Sequence, residues 1–178
     1  MKHLLSALLF LLIAHSNVSA QSLEDPKGEI RLNFLNTIIL GSVEIGYESF
    51  LKPDQSIGLE LHLNDRFSYR TQNDTRDFST TSILASYNFY FAGDGNGKMY
   101  ISPFLKYRFG EFVETVSGNI KVTSMNSGGI GLIAGYRWNF NNFAFGPFGA
   151  VNRQFSQEVQ NRFNAVELNA GFNVGYRF

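Results

Sequence analysis

From residue 28 onward, apolar and polar positions alternate with a period of two along most of the chain. The last run shows it best. Val166, Leu168, Ala170, Phe172, Val174, Tyr176 and Phe178 share one parity, and Glu167, Asn169, Gly171, Asn173, Gly175 and Arg177 share the other. Such alternation sends the two sets of side chains to opposite faces of a strand. A tilted strand needs roughly 9–11 residues to cross a bilayer, and this run is long enough. Similar runs are expected over 28–36, 43–51, 57–64, 79–91, 99–109, 130–140 and 143–152, which gives eight strands with the last. Pro103 interrupts one of them. Proline supplies no ladder donor and usually marks an edge or a bulge.

The connections alternate in length. Short ones fall at 52–56, 92–98 and 140–142; long polar ones fall at 64–77, 110–129 and 152–163. Short turns at one end and long loops at the other are the pattern of outer-membrane barrels. The brief 37–42 connection is the exception. Residues 112–116 and 120–125, around Gly118-Asn119, are spaced to extend a hairpin beyond the membrane.

Tyr47, Tyr87, Tyr136 and Tyr176 recur once per hairpin, on the even strands, with Phe89, Trp138 and Phe178 two residues after the last three. In an up-and-down meander every even strand ends at the same rim. These seven residues are therefore expected to form a periplasmic aromatic girdle, with ring bodies in lipid and polar edges in water. The opposite parity carries Glu29, Arg31, Glu44, Glu48, Glu60, His62, Lys106, Arg108, Arg137, Glu167 and Arg177, among many glycines. An eight-stranded barrel has an interior just wide enough to be filled by side chains. Five acids and five bases there are expected to form an ion-pair network, since isolated buried charges are costly. The expected fold is all-β: an eight-stranded antiparallel up-and-down transmembrane barrel, closed so that lipid meets no free sheet edge.

Composition agrees with this reading. Charged residues make up 17% of the chain, against about 25% in soluble domains. Fifteen basic residues balance fifteen acidic ones, so there is no basic stripe for nucleic acid. The absence of cysteine removes disulfides, thiolate metal sites and thiol nucleophiles. At the start, Lys2-His3, an apolar Leu4–Ala14 and Val18-Ser19-Ala20 have the form of a secretory leader cleaved before Gln21. The expected division is 1–20 signal peptide, 21–27 periplasmic lead-in and 28–178 barrel.

Several short motifs look familiar: Val18-Ser-Ala-Gln21, Gly46-Tyr-Glu48, Ile101-Ser-Pro-Phe104 and the terminal Val174-Gly-Tyr-Arg-Phe178. They resemble small outer-membrane barrels of Bacteroidetes, many of which form a family of unknown function. More distantly the chain is similar to OmpA-like and OmpX-like eight-stranded barrels. The resemblance covers the chain after the leader. It implies the outer membrane of a Gram-negative bacterium as address, and outer-membrane lipid and the barrel assembly machinery as partners. In such barrels a C-terminal aromatic with alternating apolar residues is the assembly signal, and Phe172, Val174, Tyr176 and Phe178 match it.

Catalytic chemistry is poorly represented. One histidine, His62, survives leader removal, so no histidine cluster can hold a metal. Neither His-Glu-x-x-His nor Gly-x-Ser-x-Gly occurs. The expectation is a monomer without cofactor or catalysis, with a structural or interaction role through loops 64–77, 110–129 and 152–163, which would meet an extracellular ligand. The alternatives are a narrow pore, a lipid A-modifying enzyme using His62, and a soluble lipocalin-like carrier. The carrier lacks its N-terminal Gly-x-Trp and its C-terminal helix.

Overall fold

The computed structural model describes residues 26–67, 75–94, 96–116 and 118–178. The expected leader, most of the lead-in and residues 68–74 of the first long loop lie outside the described residues. Nine strands form one antiparallel sheet: β1 (Gly28–Asn33), β2 (Val43–Lys52), β3 (Gln55–Leu63), β4 (Arg76–Asp94), β5 (Gly97–Val116), β6 (Asn119–Ser124), β7 (Ser127–Phe140), β8 (Phe143–Gln154) and β9 (Val166–Arg177). Two short helices interrupt it, α1 (Phe34–Leu40) and α2 (Gln157–Arg162).

The pairings run β1–β2–β3–β4–β5–β7–β8–β9 and return to β1. In that circuit Ile30 sits opposite Tyr176 and Leu32 opposite Val174. Around the last residue, Lys27 and Gly28 donate their backbone N–H groups to the Phe178 carbonyl, and Phe178 N–H donates to Gly28 O at 3.0 Å. Every strand of the circuit therefore has two neighbours.

The ninth strand is a correction to the expected count of eight. β6 pairs with the far end of β5, from Val116↔Asn119 to Glu111↔Ser124, and β7 takes over the same edge at Arg108↔Ser127. Residues 125 and 126 break what would otherwise be one long strand. Much of the expected 110–129 loop is thus ladder. Gly118, at φ 81°, makes the tight turn at its tip, a backbone conformation that favours glycine.

The expected first strand is too long by three residues. Phe34, Leu35, Ile38 and Ile39 have helical spacing, and the chain turns into α1 at Asn33. The Asn33 side chain caps the helix by accepting from Asn36 N–H at 3.2 Å, and Gly41 ends it at φ 65°. Asparagine at the start and glycine just past the end are the usual helix punctuation. β9 therefore runs beside β8 from Val166 to Phe172 with α1, rather than more of β1, along its other edge.

Pro103 does not sit at an edge. Its strand is paired on both sides, opposite Leu132 of β7. The cost falls on the β4–β5 ladder, which lapses between Ser86↔Phe104 and Phe89↔Ile101, because proline has no N–H to give.

Strand alternation sorts the side chains across this closed wall. Leu59, Leu105 and Leu168 are more than half exposed on the outside. Inside lie charges and a cluster of Leu84, Tyr90, Tyr100, Phe104 and Ile133. The interior face is thus part apolar, where parity suggested a polar one. A second cluster closes one end: Phe67, Phe78, Phe112, Met125, Val159 and Phe163. It draws together the segment after β3, the start of β4, the β5–β6 hairpin and α2. Phe78 and Phe112 stand 4.4 Å apart between centroids, and Phe67 and Phe163 5.1 Å. The long connections are therefore packed onto the ring, with a core of their own.

Candidate functional site

The charged side chains converge because strands on opposite sides of a small ring bring distant residues face to face. Glu29, Arg31, Glu44, Glu48, His62, Lys106, Arg108, Arg137, Glu167 and Arg177 are all buried, and Glu60 is nearly so. Two groups of ion pairs result.

The first lies toward the end where Gly28 meets Phe178. Arg31 pairs with Glu48 at 2.6 Å and also with Glu60. Arg137 reaches across from β7 to Glu48 at 3.0 Å and Glu29 at 3.4 Å, and Arg177 holds Glu29 at 2.9 Å. The hydroxyls of Ser56 and Tyr90 donate to Glu48 as well. The Arg137 guanidinium carbon lies 5.4 and 5.3 Å from the Tyr90 and Tyr100 ring centroids, within cation–π range.

The second group lies toward the capped end. Asp65 accepts from Lys106 at 2.8 Å and from Arg108, which also holds Glu167 at 2.6 Å. Gln154 Nε2 donates to Glu167 at 3.0 Å. Asp65 is a residue that alternation could not find. It follows β3, where parity no longer reports direction, and the polar run 64–77 hides it. With Asp65 included, six interior carboxylates face five arginine and lysine side chains and His62 among the described residues. Asn33 and Asn36 were also missed. They turn inward at the start of α1 and donate to Glu44 at 2.8 and 2.9 Å. The legible signal for them was the helical spacing of their apolar neighbours.

His62 stands between the groups with Nε2 3.0 Å from Glu60 Oε2. Among the described residues no group of three or more His, Cys, Asp or Glu is placed to hold a metal ion.

The aromatic positions fall at the end of the ring opposite the cap. Tyr47 lies 6.4 Å from Phe178, Tyr87 4.7 Å from Phe89, Tyr136 4.9 Å from Trp138 and Tyr176 5.5 Å from Phe143. Tyr47, Phe89, Trp138 and Phe178 are each 40–48% exposed. Tyr87, Tyr136, Phe172 and Tyr176 are half-buried, and Val174 is exposed.

At the capped end, Arg162 of α2 forms a two-pronged pair with Glu114 of β5, Nε to Oε1 at 2.6 Å. This hydrogen bonding holds the Glu114 carboxyl below its ordinary value. The hairpin is otherwise open to solvent at its tip, where Val116, Ile120 and Val122 are 50–74% exposed.

No family model and no curated protein matches the sequence. Solved structures do. Neisserial surface protein A (NspA) is similar over 85% of this chain and 93% of its own, with 17% identity and a TM-score of 0.52. The N-terminal β-barrel domain of Pseudomonas aeruginosa OprF matches with 18% identity, 85% and 95% coverage and a TM-score of 0.48. Ail, the attachment invasion locus protein of Yersinia pestis, matches with 12% identity, 85% and 93% coverage and a TM-score of 0.48. The chain has an antiparallel all-β fold related to that of the Neisserial protein.

Proposed function

We propose that the chain is an integral outer-membrane protein of a Gram-negative bacterium, a β-barrel of eight circuit strands with β6 as a ninth paired to β5 outside the circuit, whose role is structural or interactive. One observation carries this reading: a circuit of strands closes on itself with charges inside and leucines outside. A soluble protein would turn that pattern over, because water solvates charge and lipid does not. On this reading residues 1–20 are the export signal and 21–27 a periplasmic lead-in, with 28–178 the barrel. Tyr47, Tyr87, Phe89, Tyr136, Trp138, Tyr176 and Phe178 form the periplasmic girdle. Phe172, Val174, Tyr176 and Phe178 are read by the barrel assembly machinery, and the barrel works as a monomer in outer-membrane lipid. The β5–β6 hairpin and α2 face outward and carry the contact surface.

The pore and the enzyme find less support. Arg137 reaches from β7 to β1 and β2, Arg108 reaches from β5 to β9, and an aromatic cluster lies beside them in the interior. His62 is 2% exposed and bound to Glu60, out of reach of a lipid headgroup. The test is cell fractionation with gel migration before and after boiling. A membrane-bound protein whose mobility shifts on boiling is expected; a soluble protein with unshifted migration would end the proposal.

A further inference from the structure

The outward face of the ring is nearly free of charge. Away from the aromatic end it carries one ionised side chain among the described residues, Arg153 of β8, which is exposed. Asp77 and Glu111 share the outward parity but lie past the start of β7, where β5 pairs with β6 instead. Arg153 stands opposite Ile130 of β7 and Val166 of β9, and one row below it Val151 stands opposite Leu132 and Leu168. All five of these neighbours are exposed aliphatic side chains.

Strand geometry sets the depth of Arg153. β8 leaves the aromatic end at Phe143, 5.5 Å from Tyr176, and reaches Arg153 ten positions later. Ten positions of strand rise about 33 Å. At the usual tilt of about 35–45° they cover about 25 Å of bilayer depth, the height of the apolar band of an outer-membrane barrel. Arg153 therefore stands where that band ends, on the side of the cap. A lipid-facing arginine is costly at the bilayer midplane and nearly free at this level.

Its charge has no partner within the protein. No carboxylate of the described residues pairs with it. Glu167 on the adjacent strand turns inward to Arg108, and Glu158 of α2 accepts from Ser124 N–H at 2.8 Å. The contact Arg153 does make is with Phe155, its Cζ lying 5.9 Å from the ring centroid. A guanidinium offers five N–H donors in a planar fork that matches carboxylate and phosphate oxygens.

We propose that Arg153 binds the phosphate of an outer-leaflet lipid, whose acyl chains lie over Val151, Leu132 and Leu168. The inference rests on the outer-membrane reading and adds a fixed lipid site to it. Charge complementarity selects the headgroup, and the aliphatic row beneath selects a ligand that brings its own chains.

The experiment is native mass spectrometry of the folded protein in detergent micelles, with equal amounts of phosphatidic acid and phosphatidylcholine of one acyl length. The protein should retain phosphatidic acid over phosphatidylcholine by roughly tenfold, the worth of a charge-assisted hydrogen bond. Arg153→Gln should bring that ratio near one. Equal retention of the two lipids by the wild type, or an unchanged ratio in Arg153→Gln, would overturn the site. Displacement of phosphatidic acid by excess inorganic phosphate would also overturn it, because the headgroup would then bind without its chains. Gel migration before and after boiling separates the two readings. A protein that shifts on boiling but shows no lipid preference refutes this site alone, whereas a soluble, unshifted chain refutes the membrane reading with it.

Discussion

Arg137 joins strands far apart in the chain: from β7 it touches Glu48 of β2 and Glu29 of β1. Removing one partner of a buried ion pair strands the other, at a cost of about 3–5 kcal/mol. Arg137→Ala should therefore lower the unfolding free energy of the protein in lipid vesicles by that amount, read as a lower urea midpoint. An unchanged midpoint would show that Arg31 and Arg177 suffice for both carboxylates. Glu114 makes a different prediction. Its carboxyl is held below its ordinary value by Arg162, so the pair stabilises the cap above the unfolded-state value, about 4.3. That contribution is lost as pH falls through the lower folded value. Protease cleavage of the 110–125 hairpin should rise on acidification through that window, and Glu114→Gln should cleave readily at all pH values. A hairpin equally resistant at pH 7 and pH 3 would refute this.

At the scale of elements, α1 and the cap depend on few residues. Asn33 both caps α1 and donates to Glu44. Asn33→Ser keeps a capping oxygen but loses the amide donor, whereas Asn33→Ala loses both. The alanine variant should be the less stable by roughly 1 kcal/mol, the worth of a cap, in paired urea titrations; equal midpoints would mean the cap is idle. Phe112 lies in the aromatic cluster that fastens the β5–β6 hairpin and α2 together. Phe112→Ala should cost about 3–5 kcal/mol locally. The hairpin should then become protease-sensitive while boiling still shifts the gel band. Loss of that shift would mean the cap and the ring fold as one unit. Such an end structure suits a role in contact, because its shape is held before any partner arrives.

Closure is the property of the whole molecule. Leu32 and Val174 face each other across the β1–β9 seam and both point outward. Directly opposed residues in an antiparallel pair lie about 4.5–5.5 Å apart between Cα atoms, within reach of a disulfide. Leu32→Cys with Val174→Cys should crosslink under mild oxidation in the folded protein and not in urea. Crosslinking in urea alone would break the circuit that the proposal rests on.

Alternation along each strand decided which side chains share a face, because strand geometry has a period of two and needs no tertiary information. The inward side of the ten charged residues and His62, and the common end of the four tyrosines, followed from parity and strand order alone. Where the period failed, the reading failed with it. Asn33 to Leu40 mixes strand and helical spacing, and the Asn33 cap and Gly41 resolve the mixture only once β9 provides a surface for α1. Asp65, Phe67 and Phe163 lie in segments without alternation, so the sequence held no direction for them. Partners, too, needed the fold. Arg137 and Glu29 are 108 residues apart, and only closure sets them face to face.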